Sequence, residues 1–137
     1  MYVPVLVTQK GGSGKSTLAV GLAVAAMENG ERVAFVEADP QGTISKWKER
    51  RSNSYPRVVR VSDPAELEMA LSRLEAEGVW LAIVDTAATN NGLAMRAIAK
   101  GNIGNFLKRL PGLAATTDEV EPGNIVLRGM GAEFTRI

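Results

Sequence analysis

The chain has 137 residues, of which 45% are hydrophobic, so it is long enough and apolar enough to form one domain with its own core. Its formal net charge of +1 gives no overall field of the kind that marks a nucleic-acid-binding protein, and the absence of cysteine excludes an iron–sulfur cluster held by thiolates. Histidine is also absent, so any general base is a carboxylate, a lysine or a bound water.

Neither a membrane span nor a signal peptide is predicted. The longest apolar stretch, residues 18–27, is about half as long as a membrane-crossing helix, and the N-terminus lacks a basic region followed by a long apolar one. We therefore expect a soluble protein, and the absence of cysteine fits a reducing cytoplasm.

A glycine-rich loop lies between the first predicted strand and the first predicted helix. The apolar residues 3–7 predict a buried parallel strand, and residues 18–27 predict a helix that is apolar on nearly every side. In the loop, glycines allow backbone N–H groups to converge on an anion at the positive end of the helix. Lys15 adds a positive charge toward the β and γ phosphates, and Ser16 offers a hydroxyl to Mg²⁺. The segment therefore predicts a nucleoside-triphosphate site.

This loop resembles the deviant Walker A motif of the ParA/MinD family. Gln9 stands where the usual P-loop pattern has glycine, and the segment has the form Gln-Lys-Gly-Gly-x-Gly-Lys-Ser/Thr, which is most similar to the ParA partition ATPases. The resemblance implies that Lys10 reaches across a dimer interface to the phosphates held by the other subunit. The residues implied to bind the nucleotide are Gly11, Gly12, Ser13, Gly14, Lys15, Ser16 and Thr17. The alternative is a glycine-rich turn with two incidental lysines.

A second motif follows the next predicted strand. Residues 33–36 predict this strand, and the order strand, helix, strand predicts a parallel α/β sheet. The turn at residues 39–42, Asp-Pro-Gln-Gly, comes just past the strand, where α/β sheets bind ligands. It resembles the ParA switch I signature, Asp-x-Asp-Pro-Gln-Gly, which implies that Asp39 orients the attacking water near Mg²⁺. Glu37 occupies the first acidic position with a longer side chain, so its role is open, and a plain surface turn is the alternative.

The segment after this turn is the most basic part of the chain. Residues 43–51 predict a short helix with Ile44 and Trp47 on its inner face, and residues 58–61 predict a strand. The basic residues of this segment are Lys46, Lys48, Arg50, Arg51, Arg57 and Arg60. They favour a solvated helix face over a nucleic-acid contact, which stays open as the alternative.

The next helix has the clearest start and stop signals of the sequence. Asp63 is expected to cap it, Pro64 suits its first position, and Glu66 stands where a capping box has its carboxylate. Apolar residues at helical spacing predict one buried face, and Gly78 ends the helix. We predict a structural role for this helix and assign it no chemistry.

A third motif ends the apolar run at residues 79–85. Such a run ending in aspartate is typical of a central parallel strand that carries a Walker B acid. Asp85 is therefore predicted to hold Mg²⁺ directly or through a water, opposite Ser16. Residues 85–88 resemble the switch II segment of the family, and the predicted metal residues are Ser16, Asp39 and Asp85. The alternative is an aspartate that caps the next turn.

The resemblance covers about residues 1–100, which we interpret as a P-loop nucleotide-binding core whose last helix is predicted at residues 93–100. Residues 101–137 do not match the family, and they are interpreted as a truncated, frameshifted or divergent C-terminus, either part of the same domain or poorly ordered. The expected fold is α/β, a mostly parallel sheet flanked by helices, in an incomplete version of the family's P-loop NTPase fold. An incomplete sheet and a missing adenine pocket follow from this interpretation.

Together, the motifs at residues 9–17, 37–42 and 85–88 predict one nucleotide site. The resemblance implies a Mg²⁺-dependent ATPase that binds ATP and ADP, hydrolyses ATP slowly and acts in plasmid or chromosome partition. ATP binding is expected to form a homodimer in which Lys10, Lys15 and Asp39 act in catalysis. The implied partners are non-specific DNA and a ParB-like protein, with no membrane, while the base preference and the replicon stay open.

Two other functions remain. The first is a nucleotide-binding module without turnover, because the missing half of the family's usual chain would take the dimer and adenine contacts with it. The second is an ATP-dependent amidoligase, similar to cobyrinic acid diamide synthase and dethiobiotin synthetase, which use ATP to activate a carboxylate. Lys10 and the Asp-Pro-Gln-Gly turn argue against this second alternative.

Overall fold

The structure, a computed structural model of the 137-residue chain, describes residues 1–7, 12, 14–87, 92–100, 128–129 and 132–133. Its elements in chain order are β1 (Val5–Leu6), α1 (Lys15–Glu28), β2 (Val33–Ala38), α2 (Thr43–Glu49), β3 (Arg57–Arg60), α3 (Pro64–Ala76), β4 (Leu81–Thr86), α4 (Gly92–Lys100), β5 (Arg128–Gly129) and β6 (Ala132–Glu133).

Strands β1, β4, β2 and β3 lie side by side in that order, and all of their pairings are parallel. Strands β2 and β4 are buried along their whole length, as expected of central strands that are covered on both faces. Parallel neighbours need crossover connections, and helices supply them here. The arrangement confirms the predicted α/β class, a parallel sheet flanked by helices.

The side chains of the central strands alternate between two apolar layers. On β2, Ala34 and Val36 belong to the layer that contains Leu67 of α3. Phe35 belongs to the opposite layer, with Ala19 of α1 and Ile44 of α2. Because successive strand residues point to opposite faces, one continuous apolar run can fill both layers. Ile44 is fully buried, and Trp47 lies edge-on to Phe35 with 5.9 Å between ring centroids, so the predicted inner face of α2 is confirmed.

Helix α1 packs on the sheet through small residues. Ala19 and Ala23 are both fully buried, and the helix contacts β4 and β2. Alanine side chains let the helix backbone lie close to the strands, and dense packing then leaves little freedom in where the helix begins. The first turn of α1 is therefore held in a fixed place next to the carboxyl end of β4.

The start of α3 follows the predicted capping pattern with one difference. Asp63 Oδ1 accepts a hydrogen bond from the backbone N–H of Glu66 at 2.9 Å, and Pro64 occupies the first turn. The Glu66 carboxylate does not return to the N–H of Asp63, as a capping box would have it. It accepts from the backbone N–H and the hydroxyl of Ser62, at 2.7 and 2.8 Å. The cap is thus extended by one residue in the N-terminal direction.

We expect Asp63→Ala to lower the free energy of unfolding by about 1 kcal/mol, because it leaves an N–H group of the first turn without its acceptor. Urea denaturation followed by circular dichroism measures this change. Ser72→Ala is the control, since Ser72 is exposed in the middle of the same helix and its loss should change stability by less than about 0.5 kcal/mol. Equal midpoints for the two variants would contradict the capping role.

Strand β2 is longer than the sequence indicates, because its carboxyl end continues to pair with β4 after the apolar run stops. Glu37 lies opposite Asp85 and Ala38 opposite Thr86 in this pairing. The predicted strand at residues 33–36 ended before Glu37 and Ala38. Because it pairs with the buried strand β4, the end of β2 stays in the sheet although it carries a charged residue. The pairing brings the carboxylates of Glu37 and Asp85 side by side.

Little of the segment after residue 100 lies among the described residues. There, β5 and β6 pair with each other in an antiparallel hairpin, with Arg128 opposite Glu133, and form a sheet separate from the four-stranded one. The rest of residues 101–137 lies outside the described residues. The division at residue 100 stays a prediction.

Most of the basic residues between the start of α2 and the end of β3 have partners within the chain. Arg51 lies over the Trp47 ring at 4.8 Å, Lys48 Nζ donates to the carbonyl of Asn53, and Arg57 pairs with Glu77 of the neighbouring region after α3. The Arg57 guanidinium holds the pKa of Glu77 below its usual range. These contacts show that the basic residues help to hold the segment in place.

In the described part of the chain, no helix combines the length and apolar character that crossing a membrane requires.

Candidate nucleotide site

The first turn of α1 begins directly after a backbone shape that favours glycine. Gly14 is the N-cap residue with φ 81°, and Gly12 has φ 70°, values that other residues rarely adopt. Among the described residues, no atom of a non-adjacent residue would lie within 4 Å of a Cβ atom at either position, so the backbone angles rather than space favour glycine here. Gly14 supplies no side-chain acceptor to the helix, whose first N–H groups therefore present the positive end of the helix dipole.

Two side chains of this first turn lie against the sheet. Lys15 is only 9% exposed, although lysine is rarely buried without a nearby negative charge. Ser16 donates a hydrogen bond from Oγ to Asp85 Oδ2 at 2.6 Å. This bond joins residues that are 69 positions apart in the sequence, the start of α1 and the end of β4.

Asp85 is completely buried, and its environment is unusual for a carboxylate. Its Oδ1 atom has no hydrogen-bond partner among the described residues. Burial raises the pKa of Asp85 above its usual range, while the Ser16 hydrogen bond and the charge of Lys15 act in the opposite direction. The nearby carboxylates of Asp39 and Glu37 raise this pKa further. A buried oxygen that lacks a partner needs a cation or a donor to offset its desolvation.

The residues around Asp85 fit a Mg²⁺ ion that also binds phosphate. Mg²⁺ prefers oxygen ligands, takes one or two from the protein, and keeps waters and phosphate oxygens for the rest. The Ser16 hydroxyl and the Asp85 carboxylate supply this small protein share. Within the described ranges, no group of three or more acidic, histidine or cysteine side chains could hold a metal ion alone. Two protein oxygen donors alone are too few for Mg²⁺, so phosphate oxygens and waters would complete its coordination.

The end of β4 is held rigidly next to β1. Thr86 Oγ1 donates to the carbonyl of Leu6 at 2.8 Å, and Leu6 lies opposite Asp85 in the β1–β4 pairing. Thr86 is 1% exposed, so its hydroxyl satisfies a buried acceptor at the point where the P-loop segment leaves the sheet. The threonine thereby joins the end of β4, which carries Asp85, to the end of β1.

Asp39 starts the turn that follows β2. Its Oδ1 accepts from the backbone N–H of Gln41 at 2.9 Å, and its carbonyl accepts from the N–H of Gly42 at 3.1 Å. Side-chain and backbone acceptors of one residue thus close the turn, a use of aspartate that is common in tight turns. The Asp39 side chain is partly exposed, and its charge reaches Asp85 strongly enough to raise the pKa of that group.

Glu37 has a structural role that the sequence analysis left open. It is 1% exposed, and its Oε1 accepts from the backbone N–H groups of Ile44 and Ser45 at 2.7 and 3.2 Å. Its Oε2 accepts from the Ser45 hydroxyl. The sequence holds one signal for this role. Gly42, at the N-cap of α2, has no side chain that could accept a hydrogen bond from an N–H group of the first turn.

The structure brings together some of the predicted site residues and leaves others undescribed. Ser16 and Asp85 are in direct contact, and Lys15 and Asp39 lie close enough to change the pKa of Asp85. Gly12, Gly14 and Thr17 are exposed around the start of α1. Lys10, Gly11 and Ser13 lie outside the described residues. The chemical roles of all these residues stay predictions.

Most of the chain matches one protein family. A family model described as "CobQ/CobB/MinD/ParA nucleotide binding domain" matches residues 5–130 of the chain. The chain belongs to this family. The resemblance to ParA and MinD is therefore confirmed, and the match to the CobQ/CobB/MinD/ParA family continues past residue 100, where the motifs alone had indicated an end.

Several curated relatives resemble this family member over part of its length. Protein virC1 of Rhizobium rhizogenes is 35% identical over 99 residues, which are 69% of this chain and 43% of the relative. Maintenance of carboxysome distribution protein A of Gloeobacter kilaueensis is 40% identical over 92 residues, 66% of this chain and 41% of the relative. Chromosome partitioning protein ParA of Caulobacter vibrioides is 49% identical over 45 residues, 33% of this chain and 17% of the relative. The chain spans less than half the length of these relatives.

Among solved structures, the chain is similar in fold to FlhF complexed with GMPPNP and Mg²⁺. The TM-score is 0.51, the sequence identity is 22%, and the match covers 65% of this chain and 34% of the FlhF chain. At this identity the likeness concerns the fold alone. It agrees with the P-loop NTPase fold expected of the CobQ/CobB/MinD/ParA family.

Proposed function

We propose that this chain binds MgATP at the start of α1 and hydrolyses it slowly, as a ParA-type ATPase in plasmid or chromosome partition. One observation carries the proposal: Ser16 Oγ lies 2.6 Å from Asp85 Oδ2, while the buried Asp85 Oδ1 has no hydrogen-bond partner among the described residues. A hydroxyl and a carboxylate thus meet at the uncapped first turn of a helix. These are the groups that P-loop sites offer to Mg²⁺ and to phosphate.

Different residues of the chain have different roles in the proposed reaction. The N–H groups at the start of α1 and the ammonium group of Lys15 would bind the phosphates, and Ser16 and Asp85 would hold the metal ion. When bound, Mg²⁺ supplies positive charge that offsets the charge of the β- and γ-phosphate oxygens. Asp39 orients the attacking water from the turn after β2. Positioning and electrostatics, rather than covalent chemistry, supply most of the rate enhancement.

The names of the relatives support a role in placing cell components. One relative is named for chromosome partitioning and another for maintenance of carboxysome distribution. The FlhF structure of the same fold contains GMPPNP and Mg²⁺, so this fold can hold the kind of ligand that is proposed here. The choice of ATP over GTP rests on the resemblance of the loop to the ParA group. The cytoplasmic location stays a prediction from the sequence.

In the proposed cycle, ATP binding forms a homodimer, and Lys10 of each subunit neutralises charge on the nucleotide of the other. Hydrolysis then releases the dimer, so slow turnover sets its lifetime. Non-specific DNA and a ParB-like protein are the proposed partners of the dimer. Because the chain covers less than half of its curated relatives, these partners are proposed from the family alone.

We expect Lys10→Ala to lower the rate of phosphate release about tenfold or more, because the charge lent by the second subunit is lost at the transition state. Phosphate release with and without DNA is measured together with sedimentation, which reports ATP-dependent dimerisation. Lys46→Ala is the control, since Lys46 is an exposed lysine on α2. A Lys10→Ala protein that dimerises and turns over like wild type would contradict the ParA type of mechanism.

The same assays separate the remaining candidates. A wild-type protein that binds ATP with no phosphate release, whether or not DNA is present, is a nucleotide-binding module. The family description includes CobQ and CobB, which keeps an ATP-dependent amidoligase as the second candidate. Turnover that requires a small carboxylate substrate would support that candidate. Asp39→Ala should stop DNA-stimulated turnover and leave ATP binding intact if the ParA-type proposal is right.

A further inference from the structure

We propose that Glu37 is a positioning residue that fixes the turn at residues 39–42 against the first turn of α2, and that Arg60 closes the same turn from the solvent side. The inference rests on the proposed function, since this turn carries the water-orienting Asp39. It assigns a role to the acidic position at which the chain departs from the usual switch I signature.

The contacts of Glu37 show what it holds. Both of its carboxylate oxygens accept hydrogen bonds from α2: Oε1 from the N–H groups of Ile44 and Ser45, and Oε2 from the Ser45 hydroxyl. The side chain is fully shielded from solvent. A carboxylate with every oxygen committed to one helix terminus is poorly available to a metal ion. We therefore separate Glu37 from the metal residues, even though it lies opposite Asp85 in the sheet.

The backbone explains why α2 needs this acceptor. Its N-cap residue, Gly42, has φ 65° and no side chain, so it cannot accept from the first turn as serine or aspartate would. Unsatisfied N–H groups at a buried helix end are costly, and a carboxylate also suits the positive end of the helix dipole. Glu37 meets both needs from the end of β2, across the turn that it encloses.

Arg60 contacts the outer side of the turn. Its Nε lies 3.7 Å from Glu37 Oε2, and its Nη2 donates to the carbonyl of Pro40 at 3.4 Å. Glu37 and Arg60 face each other in the β2–β3 pairing. Gly42 lies between them, since a Cβ atom there would be 3.7 Å from Arg60 Nη2 and 3.9 Å from Glu37 Oε2. The turn is therefore held from inside by a buried acid and from outside by a guanidinium that is 61% exposed.

The length of Glu37 matters more than its charge in this arrangement. Aspartate keeps the charge and is shorter by one methylene, so it cannot reach the N–H groups of Ile44 and Ser45 from the same backbone position. Glutamine keeps the length, and its carbonyl oxygen can still accept from both N–H groups. The role thus predicts that Glu37→Gln is closer to wild type than Glu37→Asp, the reverse of what a metal ligand or a charge partner would show.

The first experiment measures kcat and the ATP dissociation constant for the full chain with Glu37→Asp and Glu37→Gln. We expect Glu37→Asp to lower kcat about tenfold with ATP affinity within about twofold of wild type, because the water-orienting turn shifts while the phosphate loop does not. Glu37→Gln should keep kcat within about threefold of wild type. A larger loss for Glu37→Gln than for Glu37→Asp would overturn the proposal.

The second experiment does not depend on turnover. Hydrogen exchange of the Ile44 and Ser45 amides should be slow in wild type and about tenfold faster in Glu37→Asp, because their acceptor is withdrawn. Arg60→Met should speed exchange at Gly42, whose N–H closes the turn, and leave the rest of the sheet unchanged. Arg57→Met is the matched control, since Arg57 lies on the same strand and pairs with Glu77 instead.

These results separate the two proposals. A wild-type protein that never hydrolyses ATP refutes the proposed function, while amide exchange still decides whether Glu37 holds the turn. Active wild type with unchanged exchange and unchanged kcat in Glu37→Asp refutes the positioning role alone. If Glu37→Asp does not fold, Arg60→Met provides the same test from the exposed side of the turn.

Discussion

Lys15→Met should remove ATP binding almost completely, with a loss of affinity of about a hundredfold or more. Lys15 is buried at the first turn of α1, where its charge acts to lower the pKa of Asp85, and we propose that its ammonium group binds the phosphates. A charge-assisted bond to phosphate in a shielded site is much stronger than one in open solvent. Methionine keeps the length and apolar stem of the side chain, so the loss reports the charge rather than a cavity. Isothermal titration with ATP and Mg²⁺ measures it.

The matched control is Lys46→Met, which removes an exposed lysine from α2 and should leave ATP affinity within about twofold of wild type. Thermal unfolding without nucleotide shows whether Lys15→Met is still folded. Unchanged ATP affinity in a folded Lys15→Met protein would mean that the triphosphate, if bound, is not bound at the start of α1.

Asp85→Asn should stabilise the nucleotide-free protein while it removes the Mg²⁺ dependence of ATP binding. The Asp85 carboxylate is fully buried, with one oxygen that has no partner among the described residues. An amide has the same shape without the buried charge, and its oxygen can still accept from Ser16. We expect the free energy of unfolding to rise by about 1–2 kcal/mol at neutral pH. Mg²⁺ should no longer strengthen ATP binding, because a neutral amide is a much weaker ligand for a hard cation.

The pH dependence of this effect has a definite sign. Burial raises the pKa of Asp85, so the folded state holds this proton more tightly than the unfolded state does. The contribution of Asp85 to stability is fully present below about pH 4, its ordinary pKa, and is lost as the pH rises through the raised value. The stability advantage of Asp85→Asn over wild type should therefore grow with pH across that window and then stay constant. Taking the difference between the two proteins cancels the other carboxylates.

Asp63→Asn is the matched control for this substitution. Asp63 is an exposed cap at the start of α3, and asparagine caps a helix about as well as aspartate. This variant should show neither the stabilisation nor the loss of the Mg²⁺ effect. A nucleotide-free Asp85→Asn protein that is clearly less stable than wild type would show that the charge of Asp85 has a structural use.

The order of strands and helices could be predicted from the sequence because each signal was local and strong. The apolar runs that became β2 and β4 are long enough to be buried on both faces, and Asp63 and Gly78 mark the ends of α3 by their own chemistry. The family resemblance was carried by short motifs at strand ends. Such motifs depend on backbone geometry that few sequences satisfy, so they remain recognisable in isolation.

What could not be predicted depends on contacts between distant residues. The contact between Ser16 and Asp85 was expected from the motifs. Its length depends on how closely α1 packs on β4, and so does the second Asp85 oxygen, which has no hydrogen-bond partner in the described part of the chain. Gly42 shows in the sequence that α2 lacks a side-chain cap, but the choice of Glu37 as the acceptor depends on how the end of β2 meets α2, which no periodic pattern predicts. Strand β2 was predicted too short for a similar reason, because its polar end is buried by a neighbour.

The strand order β1–β4–β2–β3 has a practical consequence for engineering. The motifs follow the three adjacent strands β1, β4 and β2. The chain between β2 and β4 contains α2, β3 and α3, and β3 lies at the edge of the sheet. A short insertion in the loop before β3 therefore leaves the positions of the three motif-bearing strands in the sheet unchanged. The exposed residues 51–54, between α2 and β3, are where a fluorescent reporter could be grafted to follow the state of the turn after β2.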